Sequence, residues 1–121
     1  MDLGIKGRWA ILSGSSRGLG WACAQSIARE GANVVINGRT SADVDEAVAH
    51  LTSRYHIEAR GVVGDSATAS VQDELLSACP EPDIILLNGQ EPSPKAFLDI
   101  ESEDWDSAVR QALTGPLALV Q

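Results

Sequence analysis

The stretch Ser13-Gly14-Ser15-Ser16-Arg17-Gly18-Leu19-Gly20 directly follows the apolar run Trp9-Ala10-Ile11-Leu12 and opens a segment with helical patterning. Three glycines at a strand-to-helix turn let the backbone bend sharply and approach a ligand closely, while the first N–H groups of the helix face a phosphate. The spacing is Gly-x-x-x-Gly-x-Gly. It differs from the Gly-x-Gly-x-x-Gly dinucleotide fingerprint and lacks the Gly-Lys-Ser/Thr ending of a Walker loop. A glycine cluster alone is equally an ordinary turn. Its place between a strand and a helix, with a second strand following, is the order a mononucleotide-binding half requires.

Working outward from the loop, the chain alternates. Arg8 to Ser13 reads as a buried strand, and Leu19, Ala22, Cys23, Ser26 and Ile27 recur at i, i+3, i+4, i+7 and i+8, predicting a helix with this small-residue face towards a sheet. Gly31 stops that helix, and Asn33-Val34-Val35-Ile36-Asn37 is a β-branched run too short for another. Ser41 is expected to cap a second helix with Val44, Ala47, Val48 and Leu51 as its buried stripe. A third strand fits Ala59 to Gly64, a third helix Ser70 to Cys79, and a fourth strand Asp83 to Asn88.

The polar segment Gly89-Gln90-Glu91-Pro92-Ser93-Pro94 reads as a loop. A last helix starts near Ser102, with Glu103 and Asp104 where the macrodipole favours negative charge. Trp105, Ala108, Val109, Ala112, Leu113, Leu117 and Val120 keep the helical period, and Pro116 is expected to bend the helix because it cannot donate to the Ala112 carbonyl. No stop signal precedes Gln121. An uncapped helix is what a truncated chain looks like.

The alternation βαβαβαβα predicts an α/β fold over residues 1–121, a doubly wound, Rossmann-like parallel sheet with strands ordered 3-2-1-4. Ligands of such sheets sit at the carboxyl ends of the strands. The glycine loop, Arg39, Asp65 and Asn88-Gly89 all fall there.

Composition narrows the partners. Hydrophobic residues make up 44% and charged residues 21% of the 121, which is the balance of a globular chain. The net charge of -8 argues against a nucleic-acid partner. No stretch approaches the ~18 apolar residues of a membrane span, and Met1-Asp2-Leu3-Gly4-Ile5-Lys6 has no signal core, so no membrane partner and a cytoplasmic location are expected. Cys23 and Cys79 have no metal-ligand spacing and read as reduced core thiols. His50 and His56 face different sides of a helix and its end, and read as surface residues rather than a metal pair.

These residues together resemble the N-terminal half of a short-chain dehydrogenase/reductase, closest to the 3-oxoacyl-acyl-carrier-protein reductase group. The resemblance rests on the loop from Ser13 to Gly20, where the family has Thr-Gly-x-x-x-Gly-x-Gly, on Gly64-Asp65, and on Asp83-Ile84-Ile85-Leu86-Leu87-Asn88-Gly89-Gln90, where the family ends in Asn-Asn-Ala-Gly. It implies an oxidoreductase acting on a small carbonyl or alcohol substrate. Gly14, Ser16, Gly18, Leu19 and Gly20 would cradle the pyrophosphate and ribose, and Ser13 keeps the hydroxyl of the family's threonine. Asp65 and Ser66 would bracket the adenine. Asn88 and Gly89 would lie beside the nicotinamide ribose, with Asn88 also steadying the central strand. The family's equivalent of the last helix packs against the next subunit, so homo-oligomers through that helix are expected.

The departures matter equally. Leu87 and Gln90 replace a family asparagine and glycine, and Ala112-Leu113-Thr114-Gly115 stands where the family has Asn-x-x-Gly. That asparagine helps order a proton-relay water, so by resemblance only the Ala112 backbone carbonyl is left for the task. The family's catalytic Tyr-x-x-x-Lys is absent: the single tyrosine, Tyr55, is followed four residues later by Ala59, and the only lysines are Lys6 and Lys95. Three readings stay open, namely a fragment of a reductase, a short binding or sensing module without chemistry, and a remnant that acts by pairing with other subunits.

Cofactor choice follows from the turn Asn37-Gly38-Arg39-Thr40, which carries no carboxylate for a ribose 2′-OH. Arg39 and Arg17 would meet a 2′-phosphate with charge-assisted bonds. NADP(H) is expected over NAD(H).

Overall fold

The structure is a computed structural model that describes residues 1–89 and 93–121; of the proline-bearing loop, Gln90 to Pro92 lie outside the described residues. Four parallel strands, β1 (Trp9–Leu12), β2 (Asn33–Gly38), β3 (Ala59–Val63) and β4 (Ile84–Leu86), form one sheet in the order β3-β2-β1-β4. Between them lie α1 (Gly18–Arg29), α2 (Ser41–Tyr55) and α3 (Ala69–Ala78), and after β4 come a short 3-10 turn (Phe97–Asp99), α4 (Ser102–Val109), a π-helical segment (Arg110–Thr114) and α5 (Gly115–Val120).

Alternation along the strands divides the core into two layers. Ala10, Leu12, Val34 and Ile36 pack with Ala24 and Ala28 of α1 and Ala47 and Leu51 of α2. Ile11, Val35 and Val62 point to the other face, against Val71 and Leu75 of α3, Cys79, and Leu119 of α5. Both faces are covered, which is why β1 and β2 read as unbroken apolar runs. Register pins Ile11 opposite Val35 on one side and Ile85 on the other.

The buried face of α1 is not the one its larger residues predict. Leu19 is 74% exposed, Ala22 and Ser26 are exposed, and Cys23 and Ile27 are only half-buried. The buried residues are Gly20, Ala24 and Ala28, one per turn. All three are glycine or alanine and let the helix axis come close to the sheet, which outweighs burying Leu19. The helix ends as expected: Gly31 has φ +89, its N–H donates to the Ala28 carbonyl (3.0 Å), and Ala32 N–H donates to that of Ile27 (3.4 Å). This is the glycine-terminated motif that satisfies the last carbonyls.

The second helix keeps its stripe of Val44, Ala47 and Leu51, with Val48 half-buried beside it. Ser41 does not cap it, because the helix already includes Ser41; the N-cap is Thr40, and the Ser41 hydroxyl donates to Asp45 at 3.3 Å. Cys79 is buried, which raises its thiol pKa, whereas Cys23 is half-buried; both are free. His50 and His56 are both exposed, and His50 also packs edge-on against Trp21, with ring centroids 5.4 Å apart.

The last helix leaves its apolar stripe uncovered, as a helix expected to pack against another subunit would. Trp105, Val109, Leu113 and Leu117 are exposed, while Gly115 and Leu119 are the residues it buries. Its period is as expected, and its apolar stripe faces outward. Instead of a simple bend before Pro116, the backbone widens into the π register, with Gly115 N–H donating to the Arg110 carbonyl.

Candidate functional site

Leaving β1, the chain is fastened before it turns. The buried Ser13 hydroxyl accepts the Asn88 N–H (2.9 Å) and Ser13 N–H donates to the Leu86 carbonyl (3.0 Å), tying the ends of β1 and β4 together. Gly14 then takes φ +55, its N–H donating to Asn37 Oδ1 (3.0 Å) and its carbonyl accepting from Asn88 Nδ2 (2.9 Å). A Cβ at Gly14 would collide with the Asn88 carbonyl, and one at Gly20 with the Gly14 carbonyl. The glycines are therefore required by close packing of loop, helix and β4.

Two residues that sequence reasoning passed over hold this arrangement. Asn37, fully buried at the end of β2, donates from Nδ2 to the Val62 and Gly64 carbonyls (both 3.1 Å) while its Oδ1 supports Gly14. Ser15, also buried, donates its hydroxyl to the Leu12 carbonyl (2.8 Å) and its N–H to the Asn37 carbonyl (2.7 Å), and its Oγ accepts Asn37 N–H (3.0 Å). One side-chain amide thus connects the loop after β1 to the turn after β3. The available signal was a polar residue closing an apolar run, where a buried amide needs several partners.

A cleft opens at the carboxyl ends of the strands. Gly14, Ser16, Arg17, Arg39, Thr40, Asp65, Ser66, Asn88 and Gly89 all line it. Ser13, Gly18, Leu19 and Gly20 do not: Ser13 and Gly20 are buried beneath the loop, and Gly18 and Leu19 form the exposed first turn of α1. The N–H groups of Gly18, Leu19 and Gly20 precede the bond from Trp21 N–H to the Arg17 carbonyl (3.4 Å), so that turn presents unpaired donors. Two arginines, Arg17 and Arg39, line this cleft in a chain of net charge -8.

Asp43, Ala67 and Gln111 also line the cleft, and the sequence did not single them out. Asp43 lines the cleft beside Arg39 from the first turn of α2, a position its distance from the helix start could have revealed. Asp65 accepts the Ala67 N–H on Oδ1 (2.9 Å), and its carbonyl accepts from Thr68 N–H (3.0 Å) and Oγ1 (2.7 Å), fixing the turn that brings Ser66 and Ala67 to the cleft. At the far end Gln111 lines the cleft, its carbonyl 3.0 Å from where a Gly89 Cβ would lie. Ala112 is exposed and does not line it.

The residues with acid–base chemistry lie elsewhere. Tyr55 ends α2 and packs with the α1–α2 core cluster, and the neighbouring Arg54 and Arg29 guanidiniums lower its phenol pKa. Lys95 donates to both carboxylate oxygens of Asp104 (2.9 Å each), a pairing that raises its pKa. Lys6 packs against Gly31. Among the described residues, the cleft is lined by neither tyrosine nor lysine.

Fold and site together define a Rossmann-type nucleotide-binding α/β protein. The family model for short chain dehydrogenases matches residues 8–121, and the chain belongs to the short-chain dehydrogenase/reductase family of oxidoreductases. It is 29% identical over 126 residues to the 3-oxoacyl-[acyl-carrier-protein] reductase FabG of Aquifex aeolicus, covering 100% of this chain and 50% of that protein. It is 36% identical over 107 residues to the oxidoreductase YvaG of Bacillus subtilis, covering 87% of this chain and 40% of the relative. The L-sorbose reductase of Gluconobacter frateurii, solved in complex with NADPH and L-sorbose, superposes with a TM-score of 0.91 at 28% identity, covering 99% of this chain and 47% of that one. The chain spans about half the length of these relatives. No described helix is long and apolar enough to cross a membrane.

Proposed function

We propose that residues 1–121 are the cofactor-binding half of an NADP(H)-dependent oxidoreductase that interconverts carbonyl and alcohol groups, with 3-oxoacyl thioesters the first substrate class to test. The observation that carries this reading is the cleft lined by Gly14 and Ser16 of the tightly packed glycine loop together with Arg17, the residue before α1, and Arg39. These residues fit a dinucleotide: the first turn of α1 suits a pyrophosphate, and Arg17 and Arg39 suit a 2′-phosphate. The NADPH complex of L-sorbose reductase supports it. When bound, the cofactor supplies the hydride.

The roles of the chain's own residues follow from their places. Ser16 and the N–H groups of Gly18, Leu19 and Gly20 bind phosphate and ribose hydroxyls, Arg17 and Arg39 hold the 2′-phosphate, and Thr40 closes that end. Asp65 and Ser66 flank the adenine. Asn88 and Gly89 flank the nicotinamide ribose, with Ser13 and Asn88 holding β4 to the loop. The outward apolar stripe of α4 and α5 supports homo-oligomers through that helix, and the acidic, span-free sequence supports a cytoplasmic protein without nucleic-acid or membrane partners. Titration of the protein with NADPH and NADH tests the reading; equal affinities would remove the 2′-phosphate assignment.

One observation favours a second reading, a dinucleotide-binding or sensing module without chemistry: the cleft is lined by no tyrosine or lysine among the described residues. General-acid catalysis needs a donor within reach of the substrate carbonyl. Residues 1–121 alone are therefore expected to bind NADPH without oxidising it in the presence of a carbonyl substrate. Turnover above background would show that the chain carries an acid of its own.

A further inference from the structure

Gln72 of α3 spends both hydrogens of its side-chain amide on two distant carbonyls. Nε2 donates to Ser66 at 2.9 Å and to Gly115 at 2.8 Å, six and forty-three residues away. Ser66 belongs to the turn at the adenine end of the cleft, and Gly115 is the residue whose N–H closes the π segment onto the Arg110 carbonyl. The same glycine seats the helix on that turn: a Cβ there would lie 2.8 Å from the Ala67 Cβ and 3.0 Å from its Cα. One turn further on, Leu119 plugs the core against Val71 and Leu75.

The π segment in turn sets the position of Gln111, whose carbonyl faces Gly89 at the opposite end of the cleft. The adenine turn, Gln72, Gly115 and Gln111 therefore form a continuous path of hydrogen bonds and backbone contact between the two ends of the site. We infer that Gln72 is a positioning residue that couples occupancy of the adenine end to the ordering of the π segment. The inference rests on the dinucleotide reading given above. An amide suits the task because its two N–H groups point to two acceptors at once from one planar group. A methionine has similar reach and no donor.

The test uses 2′,5′-ADP, which in the proposed pose occupies the adenine end and touches neither Gln111 nor Gly89. Hydrogen exchange of the protein with and without saturating 2′,5′-ADP is expected to show amides of residues 110–119 slowed about threefold by the ligand. In Gln72→Met that slowing is lost, and the dissociation constant for 2′,5′-ADP rises by up to about the same threefold, because the coupling is reciprocal. A general loss of structure would instead raise exchange across the core strands with or without ligand. The inference is overturned if 2′,5′-ADP binds and leaves residues 110–119 unchanged, or if Gln72→Met keeps the slowing. Failure of 2′,5′-ADP to bind the wild-type protein is a separate result, which overturns the dinucleotide reading and this inference with it.

Discussion

The first and last helices of this chain both carry apolar stripes, yet they use them in opposite ways. α1 turns its smallest residues, Gly20, Ala24 and Ala28, inward and leaves Leu19 in solvent, whereas α4 and α5 turn Trp105, Val109, Leu113 and Leu117 outward. Nearness decides the first case, since the loop that starts α1 must pack its backbone against Gly14 and Asn88. The second is decided by what the helix rests on. Gly115 sits on Ala67 and Leu119 fills the core, so the wide stripe is left on the far side. Hydrophobic periodicity gives the helix in both cases, but for α1 it points to the wrong buried face.

The largest expected effect is at the tight contact. Gly20→Val puts branched carbon where the Gly14 carbonyl and the Asn88 amide already lie, and should cost about 3 kcal/mol or more, at the severe end of overpacking. Thermal unfolding would show a large fall in Tm; an unchanged Tm would mean that α1 does not need its small face. Next comes Asn37→Ala, which removes three side-chain hydrogen bonds and strands the half-buried Gly14 N–H, for roughly 2–4 kcal/mol together with weaker nucleotide binding. Full retention of both would detach the loop from β2 and β3.

The outward stripe should respond differently. Leu113 is 55% exposed, so Leu113→Glu should shift Tm by no more than about 0.5 kcal/mol equivalent while reducing self-association in sedimentation. Exposed patches of this kind mark interaction surfaces. A sharp wild-type monomer at tens of micromolar (~10⁻⁵ M), far above ordinary dissociation constants, would remove the interface. The smallest effect is at the amino-terminal ends of β1 and β4, where Trp9 N–H (3.0 Å) and Arg8 (3.1 Å) bond to Asp83 and lower its pKa. Because the folded pKa lies below the unfolded one, this stabilisation is present above the unfolded value of 3.8 and is lost as pH falls through the folded value. Asp83→Asn should therefore lower Tm slightly at neutral pH and not at all in strong acid.

Much of the fold was legible because glycine, proline and β-branched runs punctuate it, and the strand order followed from the connections. The cleft residues Arg17, Arg39, Asp65 and Asn88 were legible because parallel sheets bring strand ends together. Ser15 and Asn37 were not, since a polar residue closing a strand looks like a turn until its buried partners on two other segments are known. Gln72 was hidden for a similar reason: one of its acceptors lies forty-three residues away. Pro116 announced a break in helical bonding, but not that the backbone just before it would widen into the π register over Arg110–Thr114.

The central claim is that the cleft holds a dinucleotide by its 2′-phosphate, and the most direct measurement is a competitive titration of wild-type and Arg39→Asp protein with NADPH and NADH. The account predicts NADPH bound at least about tenfold more tightly by the wild type, and a loss of about tenfold or more in NADPH affinity in the variant with NADH little changed. Equal affinities in the wild type, or undiminished NADPH binding by Arg39→Asp, would contradict it.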